Sequence, residues 1–150
     1  ENKNMVFNES KKYYKSLEKK QEIVKALRPI AENQGPYAIH CKMGQGRTGI
    51  AVMTLECLEG CDYEYIYKDY VTSFQNANIV GHNKFSKSTY NKQFSKAMEG
   101  ITGKSAEDSK HPKASDWKGI DLEKCAEKYL KDGGMTEEEI KKIKINLSKK

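Results

Sequence analysis

Apolar residues recur at helical intervals along most of this chain, and the breaks in that rhythm mark its elements. From Asn8 to about Glu32, Leu17, Val24, Leu27 and Ile30 repeat among Lys and Glu, with Asn8 or Ser10 available as N-cap. Pro29 is expected to kink or end this helix near its last turn, and Asn33-Gln34-Gly35 reads as its stop. Pro36-Tyr37-Ala38-Ile39-His40 is short and apolar with no helical period, which predicts a buried strand. Thr48 to Leu58 is an uninterrupted apolar run, predicting a central helix that Gly60 ends. Asp62 can cap the next helix, where Tyr63, Ile66, Tyr67, Tyr70, Val71 and Phe74 form a broad face read as core packing. Gln75 to Ser88 reads as loop and Thr89 to Ile101 as helix. Thr102 to Gly119 is rich in Gly, Ser, Lys and Pro and is expected to be an exposed connection anchored by Trp117. Two helices close the chain. The first runs from about Leu122 to Lys131 and stops at Gly133-Gly134. The second opens with the capping box Thr136/Glu139 and runs to about Leu147.

With 150 residues, 37% hydrophobic and 32% charged, the composition fits one soluble globular domain. No apolar run approaches the roughly 20 residues of a membrane span, and no signal-peptide pattern is present. The chain begins at Glu1, so a processed or trimmed product of a longer gene is expected. The formal net charge of +6 favours anionic partners in general, including an anionic membrane surface. The lysines are dispersed and accompany no nucleic-acid recognition motif, so nucleic acid is not an expected partner. Cys41, Cys57, Cys61 and Cys125 are spaced too irregularly for a disulfide scaffold or a zinc knuckle. Cys57 and Cys61 are expected to pack on one helix face.

The chemistry concentrates in His40-Cys41-Lys42-Met43-Gly44-Gln45-Gly46-Arg47-Thr48-Gly49. A thiol that attacks phosphorus must be a thiolate at neutral pH, which calls for positive potential and hydrogen-bond donors. A dianionic phosphoryl group needs a cradle of backbone N–H groups, and glycine permits the tight turns of such a cradle. A helix N-terminus adds its dipole to both tasks. A guanidinium grips two phosphoryl oxygens at once, which an ammonium does not. The segment supplies these in order: predicted strand, Cys41, Gly44, Gly46, Arg47, predicted helix. Arg28 and Arg47 are the only arginines in a lysine-rich chain. Thr48 is placed to donate a hydroxyl hydrogen bond to the Cys41 sulfur and ease its departure.

His40-Cys41, five residues, then Arg47-Thr48-Gly49 resembles the signature of the protein tyrosine phosphatase superfamily in its dual-specificity and lipid-phosphatase form. Gly35 to Cys41, Asp69-Tyr70-Val71-Thr72-Ser73, Ala126-Glu127-Lys128-Tyr129-Leu130 and Gly134 to Ile140 resemble bacterial and fungal tyrosine phosphatase-like proteins. The resemblance implies an α/β fold: a phosphatase-type sheet with the Cys loop between a central strand and a helix, and a helix-rich C-terminal half. Because several strands should precede the loop, residues 1–150 are expected to be the C-terminal part of one phosphatase domain. An N-terminal segment of the same gene product would then be its partner. By the same analogy Cys41 attacks phosphorus, and water hydrolyses the thiophosphate. Arg47 and the N–H groups of Lys42, Met43, Gly44, Gln45 and Gly46 bind the phosphoryl oxygens, while His40 orients the loop and lowers the Cys41 pKa. No metal or cofactor is expected.

The general acid of that mechanism is not evident. The family's Asp well upstream of the cysteine has no counterpart, since Asp62 is the first aspartate in the chain. Gln45 and Gly46 stand where many bacterial members carry Lys-Asp. The acid is sought on an upstream segment, in Glu9, or in Asp69; otherwise the chain is a weakened enzyme or a phosphate-binding pseudophosphatase. Lys42 resembles a loop lysine of phosphoinositide phosphatases, with Gln45 replacing the second lysine of that pattern. Phosphotyrosine protein, phosphoinositide and inositol phosphate all stand as substrates. A rhodanese-like sulfurtransferase is disfavoured by the Gly-x-Gly-Arg-Thr-Gly continuation.

Overall fold

The computed structural model describes residues 14–33, 35, 47–80 and 86–148. Six α-helices occur among them: α1 (Leu17–Glu32), α2 (Arg47–Leu58), α3 (Tyr63–Val80), α4 (Lys87–Thr102), α5 (Leu122–Asp132) and α6 (Glu137–Ser148). A 3-10 turn, Ala114–Trp117, interrupts the connection between α4 and α5.

Local chemistry sets most of these limits. The helix expected to run unbroken from Asn8 is interrupted at Ser16, whose hydroxyl caps α1 by accepting from the Lys19 N–H; Asn33 ends it in an extended conformation, with Pro29 inside the last turn. Asp62 caps α3 through the Tyr65 N–H at 2.9 Å. Thr136 and Glu139 exchange the two bonds of a capping box, 2.9 and 3.1 Å long. Gly60, at φ 80°, turns the chain after α2 in a conformation that favours glycine. Cys61 therefore falls beyond the helix rather than beneath Cys57 on one face. The segment Gln75–Val80, expected as loop, continues α3. Once a helix is nucleated each further residue adds a hydrogen bond, and a polar run without apolar period can follow.

Helix α5 is the centre of the packing, in contact with α1, α2, α4 and α6. Its Ala126, Tyr129 and Leu130 are buried among Leu27, Met53, Leu58, Met98, Ile140 and Ile143. Helix α1 lies along α5 and α6, and α2, α3 and α4 follow one another as packed neighbours. The turn after α5 comes close to α1: a Cβ on Gly133 would stand 2.5 Å from the Lys20 carbonyl oxygen, so only glycine fits.

The expected α/β architecture is corrected by this arrangement. Every regular element among the described residues is a helix, and no strand or sheet is present there. Among the described residues α5 stands with helices on its flanks, and apolar helix faces close the core directly on one another. The predicted strand Pro36–His40 lies outside the described residues. The connection from Gly103 to Asp121 is also tighter than expected. Asn91 and Ser95 of α4 donate to the carbonyls of Lys110 and Ser109, and the Trp117 indole donates to the Lys104 carbonyl at 2.9 Å. Buried Asp116 accepts from the Lys113 and Glu107 N–H groups.

Candidate active site

The described part of the candidate site is the start of α2. His40, Cys41, Lys42, Met43, Gly44, Gln45 and Gly46 lie outside the described residues. Arg47 is the first residue of α2 and Thr48 the second, so the guanidinium-bearing position opens the helix. The N–H groups of a first helical turn have no partners within the helix and carry the positive end of its dipole. No acidic residue occupies that first turn, and no carboxylate of the helix itself opposes an incoming anion there.

Gly49 follows in the same turn. Glycine inside a helix costs about 1 kcal/mol relative to alanine, and here the reason for it is visible. The ring of Tyr70 on α3 occupies the space of a side chain: Cε1 would be 2.8 Å from a Cβ at Gly49. Tyr70 is buried and packs on Phe94 of α4, with ring centroids 5.5 Å apart and planes tilted by 58°. Phe94, fully buried, meets Tyr63, Tyr67 and Trp117 edge-on. Burial holds the Tyr70 phenol well above its ordinary pKa. Sequence reading placed Tyr70 in a packing stripe, and nothing in the local pattern singles it out from Ile66 or Val71.

The described cysteines are poor nucleophiles. Burial pushes the Cys57 thiol up to about 12, with nearby Glu56 adding to the shift. Burial, aided by acidic neighbours, also raises Cys61 and Cys125. None of the three combines a lowered pKa with a helix N-terminus.

Asp69, one candidate for the acid, is engaged elsewhere. It hydrogen-bonds Glu56, nine residues beyond Arg47 and so about 13 Å further along α2. Burial first, then the hydrogen bond and negative charge of Asp69, lift the Glu56 carboxyl to about 9. At neutral pH the protonated Glu56 carboxyl donates the hydrogen bond to Asp69. The pair ties α2 to α3 at the end away from Arg47. Glu9 lies outside the described residues.

Among the described residues no helix is long and apolar enough to cross a membrane. No curated protein and no solved structure matches the chain. A family model described as the tyrosine phosphatase family matches residues 1–149. That match spans nearly the whole chain, including the Cys41-to-Gly49 segment and all six helices. The chain therefore belongs to the tyrosine phosphatase family, a membership that supports phosphatase activity in general terms.

Proposed function

We propose that this protein hydrolyses phosphate monoesters through a cysteinyl-phosphate intermediate on Cys41, with phosphotyrosine in proteins as the favoured substrate. The observation that carries this reading is the start of α2 at Arg47, the last residue of the Cys-x5-Arg segment. In the proposed reaction the Cys41 thiolate forms a bond to phosphorus as the ester P–O bond breaks and the leaving oxygen departs. Water then attacks the phosphorus, the S–P bond breaks, and inorganic phosphate leaves. Arg47 and the N–H groups of Lys42 to Arg47 hold the equatorial oxygens, where charge is largest in the transition state. Thr48 donates to the departing Cys41 sulfur, and His40 orients the loop and supports the thiolate.

The preference for phosphotyrosine follows from leaving-group chemistry. Asp69 faces Glu56 toward the end of α2 away from Arg47, which speaks against it as the acid. A phenol with a pKa of about 10 leaves with less help from an acid than an alkyl alcohol does. An aryl phosphate therefore suits this site better than the alkyl phosphate of an inositol ring. Lys42 supports the phosphoinositide alternative.

The test compares three substrates on the whole chain: an aryl phosphate, a tyrosine phosphopeptide and phosphoinositide micelles. The expected result is turnover of the first two, with Cys41→Ser abolishing hydrolysis while still binding the phosphopeptide. Faster turnover of the phosphoinositide would favour the lipid alternative. Absence of turnover with all three would leave a phosphate-binding module and overturn the proposal.

A further inference from the structure

Gly49 has no conformational reason to be glycine. It lies inside α2, and it is not among the described glycines with positive φ. Its reason is contact: Tyr70 Cε1, Cδ1 and Cζ would stand 2.8, 3.5 and 3.7 Å from a Cβ at this position. The ring is not free to move alone, because it packs on Phe94, and Phe94 in turn meets Tyr63, Tyr67 and Trp117 edge-on. A close-packed interior transmits such a contact rather than absorbing it. The ring is thus a wedge between a rigid aromatic cluster and the backbone of the turn that begins with Arg47.

We propose that Tyr70 is a positioning residue for the phosphate site: its ring, seated on Gly49, sets where the first turn of α2 and hence the Arg47 backbone stand. This rests on the phosphatase reading above, in which Arg47 and the adjacent N–H groups bind the phosphoryl oxygens. It assigns Tyr70 no contact with substrate. A displacement of that turn by about 1 Å is enough to lower turnover roughly 10²-fold, since transition-state stabilisation depends on donors already in place.

The experiment uses Gly49→Ala, Tyr70→Leu, Tyr70→Phe and the double variant Gly49→Ala/Tyr70→Leu in the whole chain. Two readouts are taken: kcat and KM for an aryl phosphate, and the pH profile of Cys41 alkylation by iodoacetamide. Helical content by circular dichroism accompanies each. Gly49→Ala is expected to lower kcat about 10²-fold and to move the alkylation profile to higher pH, because the turn that stabilises the thiolate is displaced. The double variant regains at least tenfold of that loss, since the leucine vacates the space the new methyl needs. Tyr70→Leu alone shifts the alkylation profile upward, whereas Tyr70→Phe, which keeps the ring, leaves it in place. A double variant no better than Gly49→Ala overturns the inference. So does a helical Tyr70→Leu chain with unchanged kcat and alkylation profile, and this variant decides the matter if Gly49→Ala does not fold. Those outcomes leave the phosphatase reading standing, whereas an unmutated chain without aryl phosphate turnover removes both.

Discussion

Helices α1, α5 and α6 meet along apolar seams edged by charge pairs, whereas α2, α3 and α4 meet through aromatic rings and buried polar atoms. On the first side Arg28 binds Glu139 at 2.7 Å, Lys144 reaches both Glu123 and Glu127, and Lys20 and Lys128 share Asp132. These groups are partly exposed, so each pair adds little, and the seam rests on buried Leu27, Leu130, Ile140 and Ile143. On the second side stand the described buried side-chain atoms that lack a hydrogen-bond partner: Glu56 Oε1, the Tyr63 hydroxyl and Gln93 Oε1. An unsatisfied buried polar atom costs about 1–3 kcal/mol. The side that carries the candidate active site therefore carries the described unsatisfied buried side-chain atoms, a cost that the charge-edged side does not bear.

The largest effect expected from breaking this contrast is on the supporting side. Leu130→Ala empties the centre of α5, where the side chain is fully buried. It should cost about 3 kcal/mol in urea unfolding, with kcat of the folded fraction nearly unchanged. A Leu130→Ala chain of wild-type stability would remove the supporting role given to that seam.

On the costly side the sign reverses. The folded-state pKa of Glu56, about 9, lies above its ordinary value of 4.5, so the folded protein holds a proton that the unfolded chain releases. The stability this group contributes is fully present below about pH 4.5 and is lost as pH rises through 9. Glu56→Gln keeps a neutral donor for Asp69 without the titration. It should raise stability at pH 8 by about 2 kcal/mol and flatten the fall of Tm between pH 5 and 9. Thermal melts across that range measure it, and an unaltered slope would show that Glu56 is not the group responsible.

The smallest effect is at the surface. Arg28→Ala removes a two-point pair with Glu139 and a bond to the Gly134 carbonyl. A loss of at most about 1 kcal/mol is expected, diminishing in high salt, with kcat/KM unaltered. A loss as large as that of Leu130→Ala would make charge, not apolar burial, the main support of this side.

Much of the molecule could be read from the chain because much of it is decided locally. Asp62, the Thr136/Glu139 box, Gly60 and the Gly133-Gly134 stop act within a turn of the helices they bound, so their residues announce them. The Cys41-to-Gly49 segment is legible for the same reason, since its chemistry is written in consecutive residues. The extension of α3 to Val80 was not, because a polar stretch such as Gln75-Asn76-Ala77-Asn78 lacks the period that identifies a helix. The α/β expectation came from resemblance and from one apolar pentapeptide, and the described chain instead closes its core helix on helix.

By itself, then, the sequence determined the Asp62 and Thr136 caps, the glycine stops after α2 and α5, the order of the helices and the candidate nucleophile, arginine and glycines of the phosphate segment, whereas the Ser16, Ser86 and Asp121 caps were not read from it. Tertiary structure alone decided which faces meet: that Asp69 turns to Glu56, and that the Tyr70 ring takes the space beside Gly49. The reason is physical. A cap or a turn is closed by atoms a few bonds apart, whereas a wedge or a shared proton exists only after two separate helices have packed.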